Sequence, residues 1–192
     1  MEKFKLIYID DHIDYSLTGY LRECFEETEI EYDEREFKNT ETYSDLLKDE
    51  LVKSANIILI DSKLFENRNV GNKKFTGEEF QILLTKIYPF KKVFVISQNE
   101  DENGVGFIKK ADLDNDDDIK EYYDQNLKLK IEESIQKIKI EIKLVNDMCG
   151  KKAIDPVIME QIKNAMDGTG EFDQLTSQDI DKVIDLFNQL KL

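Results

Sequence analysis

The stretch KLIYIDDH, residues 5–12, runs a short apolar segment into two adjacent aspartates, Asp10 and Asp11, and IILIDSK, residues 57–63, runs another into Asp61. Carboxylates gathered at the ends of neighbouring strands repel one another and resist ionisation unless a cation sits among them. A hard divalent ion with oxygen ligands, Mg²⁺ above all, answers that need. Two further groups fall at equivalent strand ends: Ser97 after KVFVI, and Lys110 after GFIK. Acidic pair, lone aspartate, hydroxyl and ammonium form a set suited to receiving a phosphoryl group on Asp61, with Mg²⁺ and lysine neutralising its charge. A strand-end aspartate is also a common turn or cap residue, and Asp14 or Ser16 equally suits the cap of the first helix. Ordered context separates the functional reading from the plain one.

The set works only if the surrounding elements carry it to one rim. Strand-like runs cover residues 4–9, 29–37, 56–60, 92–97 and 106–110, and apolar residues recur at helical spacing over 15–27, 41–55 and 77–88. Alternating strand and helix predicts a parallel sheet wrapped by helices, with ligands at the carboxyl ends of its strands. The second run, EIEYDEREF, is too polar for a strand buried on both faces and belongs at an edge. With that edge, the order 2-1-3-4-5 sets strands one and three side by side and brings Asp10, Asp11 and Asp61 together.

Over its first 125 or so residues the chain resembles the receiver domain of the two-component response regulators. The matching stretches are LIYIDDH, IILIDSK, TGEEFQILLTKI, VFVIS and GFIKKADL, in order and on the expected elements. The resemblance implies a flavodoxin-like α/β fold, with Asp10 and Asp11 as the acidic pair and Asp61 as phosphoacceptor. It also implies Ser97 as switch hydroxyl, Lys110 as phosphate-binding lysine, Phe107 as aromatic switch residue, and the Lys63 main-chain carbonyl as a further metal ligand. Mg²⁺ is the implied cofactor, and a histidine kinase or phosphotransfer protein the implied donor.

Departures from that pattern are informative. The segment SKLFENRNVGNKKFT, residues 62–76, is longer than the family's loop and is basic, with Lys63 beside the acceptor. Only QNEDENGVGFIK separates Ser97 from Lys110, too short for a full fourth helix and then a strand. Gln98 stands where a small residue is common, and Ala111 where proline is, which puts the family's cis peptide in doubt. Asp112, Asp114 and Asp116 sit at alternate positions like a calcium loop, but Asp117 and Tyr123 occupy the places where that loop needs Gly and Glu. Acids at the start of the next helix are the better account.

That next helix has no Gly or Pro from Asp117 to Met148, and Ile131, Ile135, Ile138, Ile142, Val145 and Cys149 form a heptad seam over residues 126–150. A helix of ~30 residues reaches ~45 Å, more than a receiver's fifth helix needs. Its distal stripe therefore expects cover, from a second copy pairing through residues 131–149 or from the C-terminal segment. That segment, 151–192, reads as a helical hairpin: Asp155-Pro156 opens one helix with a stripe of Ile158, Ile162 and Met166 closed by Gly168 and Gly170. Another starts near Thr176, with Ile180, Val183, Ile184, Phe187 and Leu190 on its apolar face. LTSQD at 175–179 faintly resembles the opening of a regulator's DNA-binding motif, but 5 lysines against 8 acids favour a bundle or dimerisation module.

Composition narrows the classes. The 192 residues, 40% of them hydrophobic, suffice for a real core, and 27 basic against 42 acidic side chains leave a charge of −15 that repels nucleic acid and anionic membranes. Cys24 and Cys149, with one histidine, suit neither a disulfide framework nor a zinc site, and no apolar run is long enough to span a bilayer. The expectation is a cytoplasmic receiver, not an enzyme, signalling to an unknown downstream protein by contact. Its alternative is a pseudo-receiver adaptor that is never phosphorylated. A Mg²⁺-dependent hydrolase fits less well, because Lys63 occupies the position where such enzymes place a second aspartate.

Overall fold

A computed structural model describes residues 3–65, 76–98, 107–113, 115–149 and 154–168. Five parallel strands, β1 (Phe4–Asp10), β2 (Ile30–Glu36), β3 (Ile57–Asp61), β4 (Lys92–Ser97) and β5 (Phe107–Lys109), form one sheet in the order β2-β1-β3-β4-β5. The fold is the flavodoxin-like doubly wound sheet. Strand β3, at the centre, is buried at all five positions, whereas β2 at the edge alternates with exposed charge. The polar run thus lies where only one side needs cover.

Side chains alternate between two cores, as the two-residue period of a strand requires. Ile7, Ile9, Ile58 and Ile60 face α2 (Tyr43–Lys48), α3 (Glu50–Ser54) and α4 (Gly77–Ile87), meeting Leu46, Val52, Phe80 and Leu84. Leu6, Tyr8, Ile57 and Leu59 face the opposite layer of α1 (Tyr15–Phe25), α5 (Asp116–Tyr123) and α6 (Leu129–Cys149). The helix expected over residues 41–55 is two. Asp49 is extended, and its carboxylate accepts from the Leu51 amide at 2.9 Å to start α3. Asn115 caps α5 in the same way, with Asp116, Asp117 and Asp118 in its first turn. The acidic stretch therefore serves the helix dipole.

Helical backbone continues from α5 through a π-helical turn, Asp124–Lys128, into α6. Such a turn inserts a residue and rotates the stripe that follows. Leu127, Ile131, Ile135 and Ile138 consequently lie buried against the sheet. Lys139 pairs with Glu29 at 2.6 Å and Glu141 with Lys92 at 2.7 Å, fastening α6 to the amino edge of the sheet.

Past that edge, Val145 is buried, Ile142 half-buried and Cys149 exposed, and α7 (Pro156–Asp167) packs on α6. Ile131, Ile135 and Ile138 of the heptad seam are thus spent on the chain's own sheet, and of the two covers expected for its distal part the C-terminal segment supplies α7. Asp155 caps α7 and Gly168 closes it at φ +69°, as anticipated. Its buried residue is Met159, while Ile158 is 52% exposed, so the stripe is turned one residue from the expected one. The enlarged loop lies largely outside the described residues. So do the segments on which the reduced helix between β4 and β5 and the second hairpin helix are expected.

If the seam is internal, Ile135→Ala costs about 2–4 kcal/mol in urea denaturation, while Leu144→Ala, 55% exposed on the same helix, changes stability by about 0.5 kcal/mol or less. Equal small losses, or a dimer by sedimentation that Ile135→Ala dissolves, would place the seam between chains.

Candidate functional site at the carboxyl rim

Register decides which groups meet. Ile9 pairs with Ile60, so Asp10 and Asp61 leave their strands side by side, and Ser97 pairs with Lys109 one residue before Lys110. Asp10, Asp61, Ser97 and Lys110 are all buried, and Asp11 is half-buried at the rim. A carboxylate oxygen from each of Asp10, Asp11 and Asp61 lies within 4.8 Å of the other two. The Lys110 ammonium donates to Asp10 Oδ2 at 2.8 Å and stands 2.8 Å from Asp61 Oδ1.

Backbone groups hold this arrangement. The Lys63 amide donates to Asp61 Oδ2 at 2.7 Å and the His12 amide to Asp10 Oδ1 at 3.0 Å. The Lys110 amide donates to the Ser97 carbonyl at 2.6 Å, joining two of the expected residues through main chain. Tyr122 donates its hydroxyl to the Lys109 carbonyl and Tyr123 accepts from the Ala111 amide, so α5 pins the end of β5. No cis peptide occurs among the described residues, and the Lys110–Ala111 bond is trans.

Gly77 places the start of α4 against the acceptor. Its amide donates to the Ser62 carbonyl at 2.9 Å, and a Cβ there would lie 2.3 Å from the Asp61 carbonyl oxygen. Thr76 and Glu79 close a capping box immediately before and after. The glycine of TGEE is thus a close-approach residue that allows the helix terminus to sit against the acceptor's peptide.

Electrostatics matches the crowding. Burial and then the Asp10 carboxylate raise the pKa of Asp61 above the ordinary aspartate value, against the pull of Lys110. Burial opposes the charge on Lys110, but Asp61 and Asp10 together outweigh it and hold the ammonium above its usual value. Three carboxylates against one ammonium leave oxygen-only donors short of two positive charges, which fits a hard divalent cation. Asp10, Asp11 and Asp61 are the residues that would hold it.

One participant escaped sequence reasoning. Tyr8, fully buried, donates its hydroxyl to Asp10 Oδ2, the oxygen that also accepts from Lys110. Burial, then Asp10, drives its pKa upward, so it remains a neutral donor. The signal was present: Tyr8 precedes Asp10 by two on a strand, hence shares its face, and a buried tyrosine needs a hydroxyl partner. Phe107 is half-buried on edge strand β5, facing away from the Ile108 core.

No known family model matches the sequence, and no curated protein matches it either. Solved structures do. One is the RcsB response regulator of Salmonella typhimurium, at 17% identity over 88% of this chain and 93% of that one, with a TM-score of 0.40. Another is RcsB of Salmonella enterica serovar Typhimurium bound to the rprA promoter with a beryllofluoride phosphomimetic, at 14% identity, 99% and 79% coverage, and a TM-score of 0.42. A third is the response regulator StyR, at 16% identity, 97% and 99% coverage, and a TM-score of 0.39. The chain resembles the response regulators. At these scores the likeness carries no argument of its own, and the sheet order and the rim stand independently of it.

Two outcomes follow. Gly77→Ala costs about 1–3 kcal/mol by chemical denaturation, because its methyl group meets backbone at Asp61; a neutral substitution would contradict the close approach. The pH dependence has a definite sign. The native state holds the Asp61 proton more tightly than the unfolded chain, so metal-free stability falls as pH rises through the window between the two values. Asp61→Asn lacks this titration, so its melting temperature gains on the parent as pH rises above the ordinary aspartate value. A difference that stays constant with pH, or moves in the parent's favour, would refute the assigned shift.

Proposed function

We propose that this chain is a response-regulator receiver that accepts a phosphoryl group on Asp61 and signals by protein contact. The observation supporting it best is the Lys110 ammonium, 2.8 Å from carboxylates of both Asp10 and Asp61 at the rim of a 2-1-3-4-5 sheet. In the reaction an Asp61 carboxylate oxygen forms a bond to phosphorus as the bond from phosphorus to the donor's histidine nitrogen breaks. Lys110, released from Asp61 by the loss of that carboxylate's charge, pairs with a phosphoryl oxygen, and Ser97 donates its hydroxyl to another. Mg²⁺, when bound, neutralises the remaining phosphoryl charge, with the Lys63 carbonyl as a proposed further ligand. A cavity of about 570 Å³ lined by Asp11, Phe37, Lys38, Thr40 and Leu64 lies beside the acidic pair, with room for part of a donor.

Output in this account runs through Ser97 and Phe107 to a change in partner binding. The donor is a histidine kinase or phosphotransfer protein, and the net charge of −15 favours a protein target over nucleic acid. Free Cys24 and Cys149 accord with a reducing cytoplasm, and no described helix is long and apolar enough to cross a membrane. A second reading, an unphosphorylated adaptor, is favoured by Tyr8, whose hydroxyl shares Asp10 Oδ2 with Lys110 and occupies lone pairs a metal would use.

Intact-protein mass spectrometry after incubation with Mg²⁺ and phosphoramidate separates the readings. The receiver gains one phosphoryl group, and Asp61→Asn gains none. If neither adduct formation nor beryllofluoride binding occurs, the adaptor reading replaces it.

A further inference from the structure

A second cavity lies at the opposite, amino edge of the sheet, far from the carboxylates. It measures about 640 Å³ and is enclosed by the start of β1, the α3–β3 turn, the residues before β4, and the facing sides of α6 and α7. In a chain with a charge of −15, its lining is basic: five lysines (Lys3, Lys5, Lys53, Lys91 and Lys163) face two acids, Glu141 and Asp167. Glu141 is already engaged by Lys92, and Lys53 by Glu50 at 3.0 Å. The remaining wall mixes apolar side chains, Phe4, Ile142, Val145 and Met166 among them, with the polar Ser54, Asn56 and Asn146.

At its base lies a buried lysine that neutral groups hold. Lys91 is 6% exposed, and its ammonium donates to the carbonyls of Lys53 and Ala55 and lies 5.0 Å from the centre of the Tyr88 ring. No carboxylate pairs with it among the described residues, and burial pushes its pKa down to about 8. An ammonium has three donors, and two are committed to carbonyls. A buried charge held by neutral groups alone is costly unless a negative ligand completes it. Gly168 at the end of α7 comes close enough that a Cβ would lie 2.2 Å from the Lys53 carbonyl oxygen and 3.4 Å from the Lys91 ammonium. The end of α7 thus packs beside this lysine at the rim of the cavity.

We propose that this cavity binds a small phosphate-bearing molecule, its anionic group on Lys91 with Lys5 and Lys163, its apolar body against α6 and α7. The volume suits that class, since ligand sites run to several hundred cubic ångströms, and the lining offers both charged groups for a phosphate and an apolar side for its body. Lysines act on phosphate as point charges and need no fixed fork geometry, so several of them lining one cavity can share an anion. The site uses none of the groups at the carboxylate rim, so it stands whether or not Asp61 is phosphorylated.

Amide NMR spectra of the full chain, without Mg²⁺, test this with three probes: inorganic phosphate, pyrophosphate and adenosine monophosphate. Saturable shifts are expected at residues 53–56, 91–92 and 163–168, with the nucleotide binding more tightly than inorganic phosphate because it reaches the apolar wall. Replacing Lys5 and Lys163, both exposed, with alanine weakens that binding about tenfold or more while the melting temperature holds. Lys91→Met abolishes it if the variant folds. Three results each overturn the proposal: no saturable shift from any probe at millimolar concentration, shifts confined to the surroundings of Lys110, or binding indifferent to the paired alanine substitution.

Discussion

Two carboxylates buried side by side at the ends of β1 and β3 require a cation, and Lys110 is that cation. Its ammonium, 2.8 Å from both Asp10 and Asp61, converts what would be repulsion in a low-dielectric pocket into the junction of three strands. Coulomb's law sets the scale: at about 3 Å and an effective dielectric constant of about 20, each pairing is worth about 5 kcal/mol before desolvation is counted. Desolvation consumes much of that, so the triad does not make the fold exceptionally stable. It makes the rim responsive, because any change of charge on Asp61 redistributes the lysine.

Everything around the triad limits how it can redistribute. Lys110 is fixed at its backbone by Ser97 and, one residue either side, by Tyr122 and Tyr123 of α5. Asp61 is fixed by the Lys63 amide and by the close seat of Gly77. Asp10 is fixed by Tyr8 and His12. With backbone and carboxylates held, the flexible element is the lysine side chain itself. A phosphoryl group on Asp61 would draw it and the Ser97 hydroxyl together, and the adjoining β4 and β5 are the strands positioned to register that movement. The pull of Tyr8 on Asp10 opposes metal entry, which makes the tyrosine a natural determinant of how readily this site loads.

Much of this was legible in the residues. Alternation of strand and helix, with one strand too polar to be central, dictated the sheet order, and the order in turn assembled Asp10, Asp11, Asp61, Ser97 and Lys110. What stayed hidden had physical reasons. Apolar spacing continued across Asp49, so the break between α2 and α3 left no mark in the period. Ile158 and Met159 fit a stripe with Ile162 and Met166 equally well, and only the surface of α6 selects Met159. The heptad seam was real but said nothing of its partner: Ile131, Ile135 and Ile138 serve the sheet. Tyr8 drew no reading of its own, because its hydroxyl acquires meaning only once Asp10 and Lys110 share its pocket. The π-helical turn at Asp124–Lys128 has no sequence signature of its own.

The central claim is that three carboxylates and Lys110 constitute one site built to hold a divalent cation and a phosphoryl group together. Its most direct measurement is a crystal structure with Mn²⁺ and beryllofluoride, using the anomalous signal of manganese. The account predicts a metal peak among the carboxylates of Asp10, Asp11 and Asp61, beryllofluoride on Asp61, and the Lys110 ammonium moved from the Asp61 carboxylate to a fluorine. Absence of metal from the acidic trio, with Lys110 still bridging Asp10 and Asp61 under saturating conditions, would contradict it.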